Sequence, residues 1–221
     1  MKENETFYEF SHNSSHTRGF TWAISIEPRS EMIDQVCPEY GAAEHYPSGA
    51  FDVIVEGGTR YPDVLGCGAY PFLIVSEAVI TAWREAGINS FDTYPIGTAE
   101  VRSRKLRDAV PPPYFRVEID GQCKINLAAS GVEVVRFCPE HHYLVTRPSL
   151  VPGFRMVPGS WDGSPLFRDP VLYPRVNFCT QMVLDLAREH RFTNFRSEPM
   201  EGPFNSASKG IDYLGTQPKP R

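Results

Sequence analysis

Apolar residues along this chain fall in short runs broken by proline, glycine and polar clusters, and only two stretches carry a helical rhythm. Phe7 to Phe10, Phe20 to Ile26, Phe51 to Val55, Phe72 to Val75 and the Val176/Phe178 segment have the length and composition of strands. In the second of these, Phe20, Trp22, Ile24 and Ile26 alternate onto one face. Tyr114 to Ile119, a turn at Asp120–Gly121 and Cys123 to Leu127 predict a hairpin, followed by a strand over Val132 to Phe137. Cys37 to Gly49 reads as a loop. Ala78, Val79, Ala82, Trp83 and Ala86, and later Met182, Val183, Leu186 and Ala187, recur at helical spacing. They predict helices near 77–86 and 181–190.

These two helical stretches belong to one repeated segment. Ser76 to Ile96 aligns without a gap on Thr180 to Met200, each residue 104 positions from its counterpart. Val79/Val183, Arg84/Arg188, Glu85/Glu189, Phe91/Phe195 and Pro95/Pro199 are identical. Each copy predicts a strand, a helix opened by a side-chain oxygen from Ser76 or Thr180, and a strand through Phe91 or Phe195. Gly87 stands where a helix often ends in a left-handed residue, whereas the second copy has Arg191. The second helix is therefore expected to end less sharply.

The fold expected is α+β: mixed sheets with two similar strand–helix–strand units, otherwise rich in strands and loops. At 221 residues and 41% hydrophobic, the chain is long enough for a substantial core. Twenty prolines and seventeen glycines discourage long helices elsewhere. One α+β domain over 1–200, made of two related halves, and an extended or flexible tail over 201–221 are predicted. No apolar run approaches the ~18 residues of a membrane span, and the start lacks the basic-then-apolar order of a secretory signal. The expected address is the cytoplasm, with no membrane partner.

Charge excludes little but shifts the odds. The net formal charge is −5, and no Lys/Arg cluster interleaved with aromatics stands out, so no nucleic-acid partner is expected. Arg102 to Arg107 is the one dense basic run, read as a solvated loop before Pro111, Pro112 and Pro113. Five scattered cysteines do not make a disulfide framework.

The most chemical pattern is a pair of turns, Cys37-Pro38-Glu39-Tyr40 followed by Gly41, and Cys138-Pro139-Glu140-His141. Each is like a zinc knuckle in which two thiolates three positions apart share one metal. Tyr40 and His141 occupy the second thiolate positions, and tyrosine is a poor zinc ligand. No cofactor and no tightly bound zinc are expected. Were zinc retained, Cys37, Cys138 and His141 would hold it, with His45, His142 or Cys123 as a fourth ligand.

The order of these pieces resembles a family. The Phe7-Tyr8-Glu9-Phe10 strand, the Cys37-Pro38 turn, the Leu73-Ile74-Val75-Ser76-Glu77 helix unit, the Cys138-Pro139 turn, the Trp161-Asp162-Gly163-Ser164-Pro165-Leu166-Phe167 segment and the closing helix–strand unit are similar to the bacterial double-CXXCG-motif proteins and related immunity proteins of polymorphic toxin systems. The likeness spans roughly 7–200. It implies a cytoplasmic protein that binds and neutralises a cognate protein toxin, and it carries over no catalytic residue.

Motifs for catalysis do not compete strongly. The chain has no G-x-S-x-G, Ser76, Ser164 and Cys179 lack a motif-level histidine, and Gly57-Gly58 and Gly66-Cys67-Gly68 match no phosphate-loop pattern. His12 and His16 lie four apart but read as an exposed loop. The reading is therefore a binding protein and not an enzyme, with Trp161, Asp162, Tyr46, Tyr61 and Tyr70 as candidate interface residues, because Trp and Tyr bury much area at little entropic cost. The competing reading is a small-molecule or metal-dependent enzyme of unrecognised type.

Overall fold

In a computed structural model, residues 5–12, 19–27, 32–36, 43–47, 51–67, 73–138, 143–147, 153–173, 176–201 and 211–212 are described. The strands are β1 (Phe7–His12), β2 (Trp22–Glu27), β3 (Met32–Val36), β4 (Ala43–Pro47), β5 (Phe51–Glu56), β6 (Val64–Cys67) and β7 (Leu73–Ser76). Helix α1 (Glu77–Glu85) follows, then β8 (Phe91–Val101), β9 (Tyr114–Ile119), β10 (Glu133–Cys138), β11 (Tyr143–Arg147), β12 (Leu166–Phe167), β13 (Leu172–Tyr173) and β14 (Phe178–Thr180). Helix α2 (Gln181–Glu189), β15 (Phe195–Pro199) and β16 (Ile211–Asp212) complete the described chain. The class is α+β, strand-rich with two nine-residue helices. Among the described residues, no helix is long and apolar enough to cross a membrane.

The chain divides into two compact units, Ser14–Ile80 with Thr93–Glu118, and Met1–Asn13 with Thr81–Asp92 and Ile119–Arg221. The first holds a closed six-stranded barrel in the order β2-β5-β8-β9-β7-β6, beside a β3–β4 hairpin. Parallel pairs (β5 with β8, β2 with β6) mix with antiparallel ones, and closure leaves the barrel without a free edge. Its lumen is filled by Ala23, Phe51, Val53, Val55, Leu65, Cys67, Ile74, Ile96 and Tyr114. Tyr114 is admitted because its hydroxyl donates to the Pro62 carbonyl at 2.6 Å, so no polar group is stranded.

On β2 the buried positions are Thr21, just before the strand, and Ala23, while Phe20 and Trp22 of the alternating face are half-buried. Consecutive strand residues point to opposite faces, and the pairing of β2 with β5 and β6 turns the Ala23 face inward. Strand β4 takes residues 43–47 of the segment 37–49 that the sequence reads as a loop, because five backbone pairs with β3, from Met32 opposite Pro47 to Val36 opposite Ala43, need no hydrophobic alternation.

The second unit is built on a five-stranded sheet, β12-β14-β1-β15-β16, and a three-stranded sheet, β10-β11-β13. Strand β1 is central, antiparallel to β14 and β15. In the C-terminal segment, Ile211 and Asp212 pair with Ser197 and Arg196. Phe167, Phe178, Leu172, Ile125, Cys123 and Met200 form the apolar cluster of this unit, with Phe7, Phe154 and Trp161 packed on it. The predicted 114–127 hairpin does not form. Instead Cys123 donates its N–H to the Arg168 carbonyl at 3.0 Å, and Ile125 donates to the buried Asp169 carboxylate at 2.8 Å. Those partners are more than forty residues away, beyond the reach of any local turn rule.

The helices repay comparison at the offset of 104. Val79, Ile80 and Trp83 are buried on α1, and Val183, Leu184 and Ala187 on α2. Ala78 and Met182, expected on the apolar stripe, face outward, and Ile80 and Leu184 are the buried residues instead. Thr180 sits at the N-cap of α2 with extended backbone (φ −84°, ψ 169°), but its side chain makes no capping bond and its hydroxyl is buried without a hydrogen-bond partner. Ser76 donates its hydroxyl to Asp63 at 3.0 Å. At the C-termini, Ala86, Gly87 and Ile88 donate N–H groups to Ala82, Arg84 and Trp83; His190, Arg191 and Phe192 donate to Leu186, Arg188 and Ala187. Gly87 (φ 80°) and Arg191 (φ 57°) are both left-handed. The second helix thus ends as sharply as the first, because the six-residue bond closed by Phe192 holds Arg191 in place.

Candidate functional site

The candidate site grows from the segment between β8 and β9 in the barrel unit. Ser103 and Leu106 are buried, and Leu106 and Ala109 donate N–H groups to the Ser103 and Leu106 carbonyls, winding 103–109 into consecutive turns. Three prolines, Pro111 to Pro113, then fix the backbone in an extended form. Val110 is left at the tip, 89% exposed. Between this segment and β8 lies an open groove of about 620 Å³, walled by Ile96, Thr98 and Val101 on one side and Val110 and Pro111 on the other, with Glu100, Arg107 and Asp108 at its rim. Tyr61, a predicted interface residue, supports the wall from behind, its hydroxyl donating to the Ala109 carbonyl at 3.4 Å. A stiff apolar rim loses little entropy when a partner covers it.

The other predicted interface residues are dispersed. Trp161 is half-buried in the other unit, edge-on to Phe7 (centroids 4.9 Å apart) and tilted against Phe167 (5.9 Å), and its indole N–H donates to the Ser164 carbonyl at 2.9 Å. Exposed Asp162 accepts two backbone bonds, from Gln122 at 2.7 Å and Ser164 at 2.9 Å. Both side chains therefore hold a loop over the apolar cluster. Tyr46 lies on β4 opposite Ile33, with its side chain outside the description, and Tyr70 lies outside the described residues.

The zinc candidates cannot be assembled from what is described. Cys37, Tyr40, His141 and His142 lie outside the described residues, and Cys138 closes β10 with its side chain undescribed. Among the described residues, no group of three His, Cys, Asp or Glu side chains could hold a metal. Cys67, Cys123 and Cys179 are buried and in no disulfide. Burial, then Asp169 and Asp162, pushes the Cys123 thiol up to about 12, and burial raises Cys179 well above the ordinary thiol range. Neither is a nucleophile at neutral pH.

Sequence reading missed one titratable cluster. On the sheet of this second unit, Glu9 stands directly opposite Glu198, and Ser11 opposite Arg196. Burial lifts the Glu9 carboxyl to about 7, the facing Glu198 adds to the rise, and Arg196, which is ion-paired to Glu198, opposes it. His12 closes β1 opposite Phe195 rather than lying in a loop, and burial followed by the Arg196 charge lowers its pKa. His16 lies outside the described residues. The strand through Phe7 to Phe10 is legible in the sequence; that Glu198 faces Glu9 follows only from knowing which strands pair.

No protein-family model matches the chain, and neither does any curated protein.

Proposed function

We propose that this chain is an immunity-type protein of the cytoplasm, which binds a cognate protein toxin and neutralises it by covering its surface. The observation that carries this reading is the groove beside β8, where Val110, 89% exposed, projects from a proline-stiffened rim that Tyr61 braces. An exposed apolar side chain on a rigid rim, with charged residues at its border, has the anatomy of a protein interface. The order of short motifs described above supplies the partner class, and a net charge of −5 suits a basic partner. We read residues 76–96 and 180–200 as a duplicated strand–helix–strand unit. The coincident helix-end hydrogen bonds at the offset of 104 support that descent.

Co-expression with the toxin candidate encoded beside this gene tests the reading. Val110→Asp should abolish co-purification and cell survival while leaving the melting temperature unchanged, because the side chain contributes almost nothing to the folded core. Full protection by that variant, together with undiminished toxin binding, would reject the groove as the interface. The enzyme alternative draws on Glu9, whose carboxyl titrates near neutrality as an acid–base group must. Turnover of a small molecule that is lost in Glu9→Gln, with no toxin bound, would establish it.

A further inference from the structure

A second concavity of the barrel unit, about 450 Å³ in volume, is formed by backbone on one side and cations on the other. Its floor is the Gly57–Gly58 turn, both residues left-handed (φ 65°), beside Gly19 (φ 75°). Gly58 is pressed so closely to the chain that an added Cβ would stand 2.3 Å from the Phe20 carbonyl carbon. Glycine at 58 thus lets the turn pack on the Phe20–Thr21 backbone, while Gly57 sends no side chain into open space, where an added Cβ would meet no atom within 4 Å, so a ligand can approach backbone there. Within the floor Thr59 donates its N–H to the Gly19 carbonyl at 2.6 Å, and the opposite wall is pinned to the floor by the buried Ser103 hydroxyl, which donates to the Gly58 carbonyl at 3.0 Å.

That second bond decides where the basic run points. With Ser103 and Leu106 both buried, the two residues between them, Arg104 and Lys105, are exposed and line the same concavity. Arg102 also lines it, but its Nε donates to Glu100 at 3.0 Å, so that pair is neutral. Among the described residues, Arg104 and Lys105 have no carboxylate partner. Two such cations facing a glycine floor suit a compact, multiply charged oxyanion. A run that reads in sequence as a solvated face is thus held over a glycine turn some 45 residues upstream.

We propose that this concavity binds a small soluble phosphoryl anion, either inorganic phosphate or the phosphomonoester of a small metabolite, independently of the toxin-binding groove. Arg104 and Lys105 supply the charge, and the Gly57–Gly58 turn supplies access. The test is an amide chemical-shift titration of the full chain with inorganic phosphate, and separately with a sugar phosphomonoester, against sodium chloride at matched ionic strength. Saturable shifts at Gly57, Gly58, Thr59 and Ser103 to Lys105 are expected, with affinity falling about tenfold or more in the Arg104→Gln/Lys105→Gln double variant. Both side chains are exposed, so an unchanged melting temperature in that variant separates loss of binding from loss of fold. A stronger response to the phosphomonoester than to phosphate would assign the metabolite as the source. Shifts that chloride reproduces, unaltered affinity in the double variant, or binding only to vesicles bearing a phosphomonoester headgroup would each overturn the proposal.

Discussion

Arg191 occupies the left-handed backbone position (φ 57°) that Gly87 occupies (φ 80°) 104 residues earlier, and each is followed by a residue whose N–H reaches back five positions, Phe192 to Ala187 and Ile88 to Trp83. Glycine takes this conformation freely, whereas a side chain there costs roughly 1 kcal/mol. Arg191→Gly should accordingly stabilise the protein by up to about 1 kcal/mol, and Gly87→Ala should destabilise it by a similar amount. Urea unfolding of both variants measures the pair, and equal midpoints for Arg191→Gly and wild type would refute the strain.

Glu9 makes stability depend on pH. Its folded pKa of about 7 lies above the ordinary 4.5, so between those values the native state holds a proton that the unfolded state has released. Stability therefore falls as pH rises from 4.5 to 7 and is flat in this respect outside the window. Glu9→Gln removes the dependence. It should stabilise the protein at pH 8, by at most about 3 kcal/mol, and leave pH 4 nearly unchanged. Thermal melts across that range would expose an error if the two profiles run parallel.

Trp161 packs on Phe7 and Phe167 and donates to Ser164, so its loss is felt as stability. Trp161→Ala should cost roughly 3–5 kcal/mol, and Trp161→Phe, which keeps a ring but loses the donor, about 1 kcal/mol more modestly placed. Equilibrium denaturation distinguishes this from an interface role, in which toxin binding would drop while the unfolding midpoint stayed fixed.

Close approach at Gly58 predicts an asymmetry between neighbours. Gly57→Ala meets no atom within 4 Å and suffers only backbone strain of about 1 kcal/mol, whereas Gly58→Ala collides with the backbone of Phe20 and Thr21. The second variant should be the less stable by a wide margin. Comparable melting temperatures would mean that the 19–21 segment yields.

Tyr40 stands where a knuckle needs a thiolate, which leaves a tetrahedral site short of its donors. Protein purified without added metal is expected to carry no stoichiometric zinc by elemental analysis. One zinc per chain, lost in Cys138→Ala, would reverse that expectation.

Local pattern determined a good deal of this protein. Strands at Phe51–Glu56 and Tyr114–Ile119 and helices at Glu77–Glu85 and Gln181–Glu189 follow from runs and spacings that a short peptide already contains. The left-handed end at Gly87 is equally local, since glycine adopts that conformation wherever it falls. Tertiary structure decided what distance conceals. Ala23 rather than Trp22 joins the barrel core because strand pairing sets which face of β2 turns inward, and Cys123 and Ile125 bond to Arg168 and Asp169 because those groups arrive from elsewhere in the fold. The same holds for the sites. Val110 stands just before a proline run visible in the sequence, but its exposure is not visible there; Glu9 acquires its neutral-range carboxyl from burial in the sheet, to which Glu198 across on β15 adds, and Arg104 and Lys105 face Gly57 because Ser103 bonds to Gly58. Propensity acts over a few residues, whereas desolvation and charge act through space, so elements are written locally and sites are not.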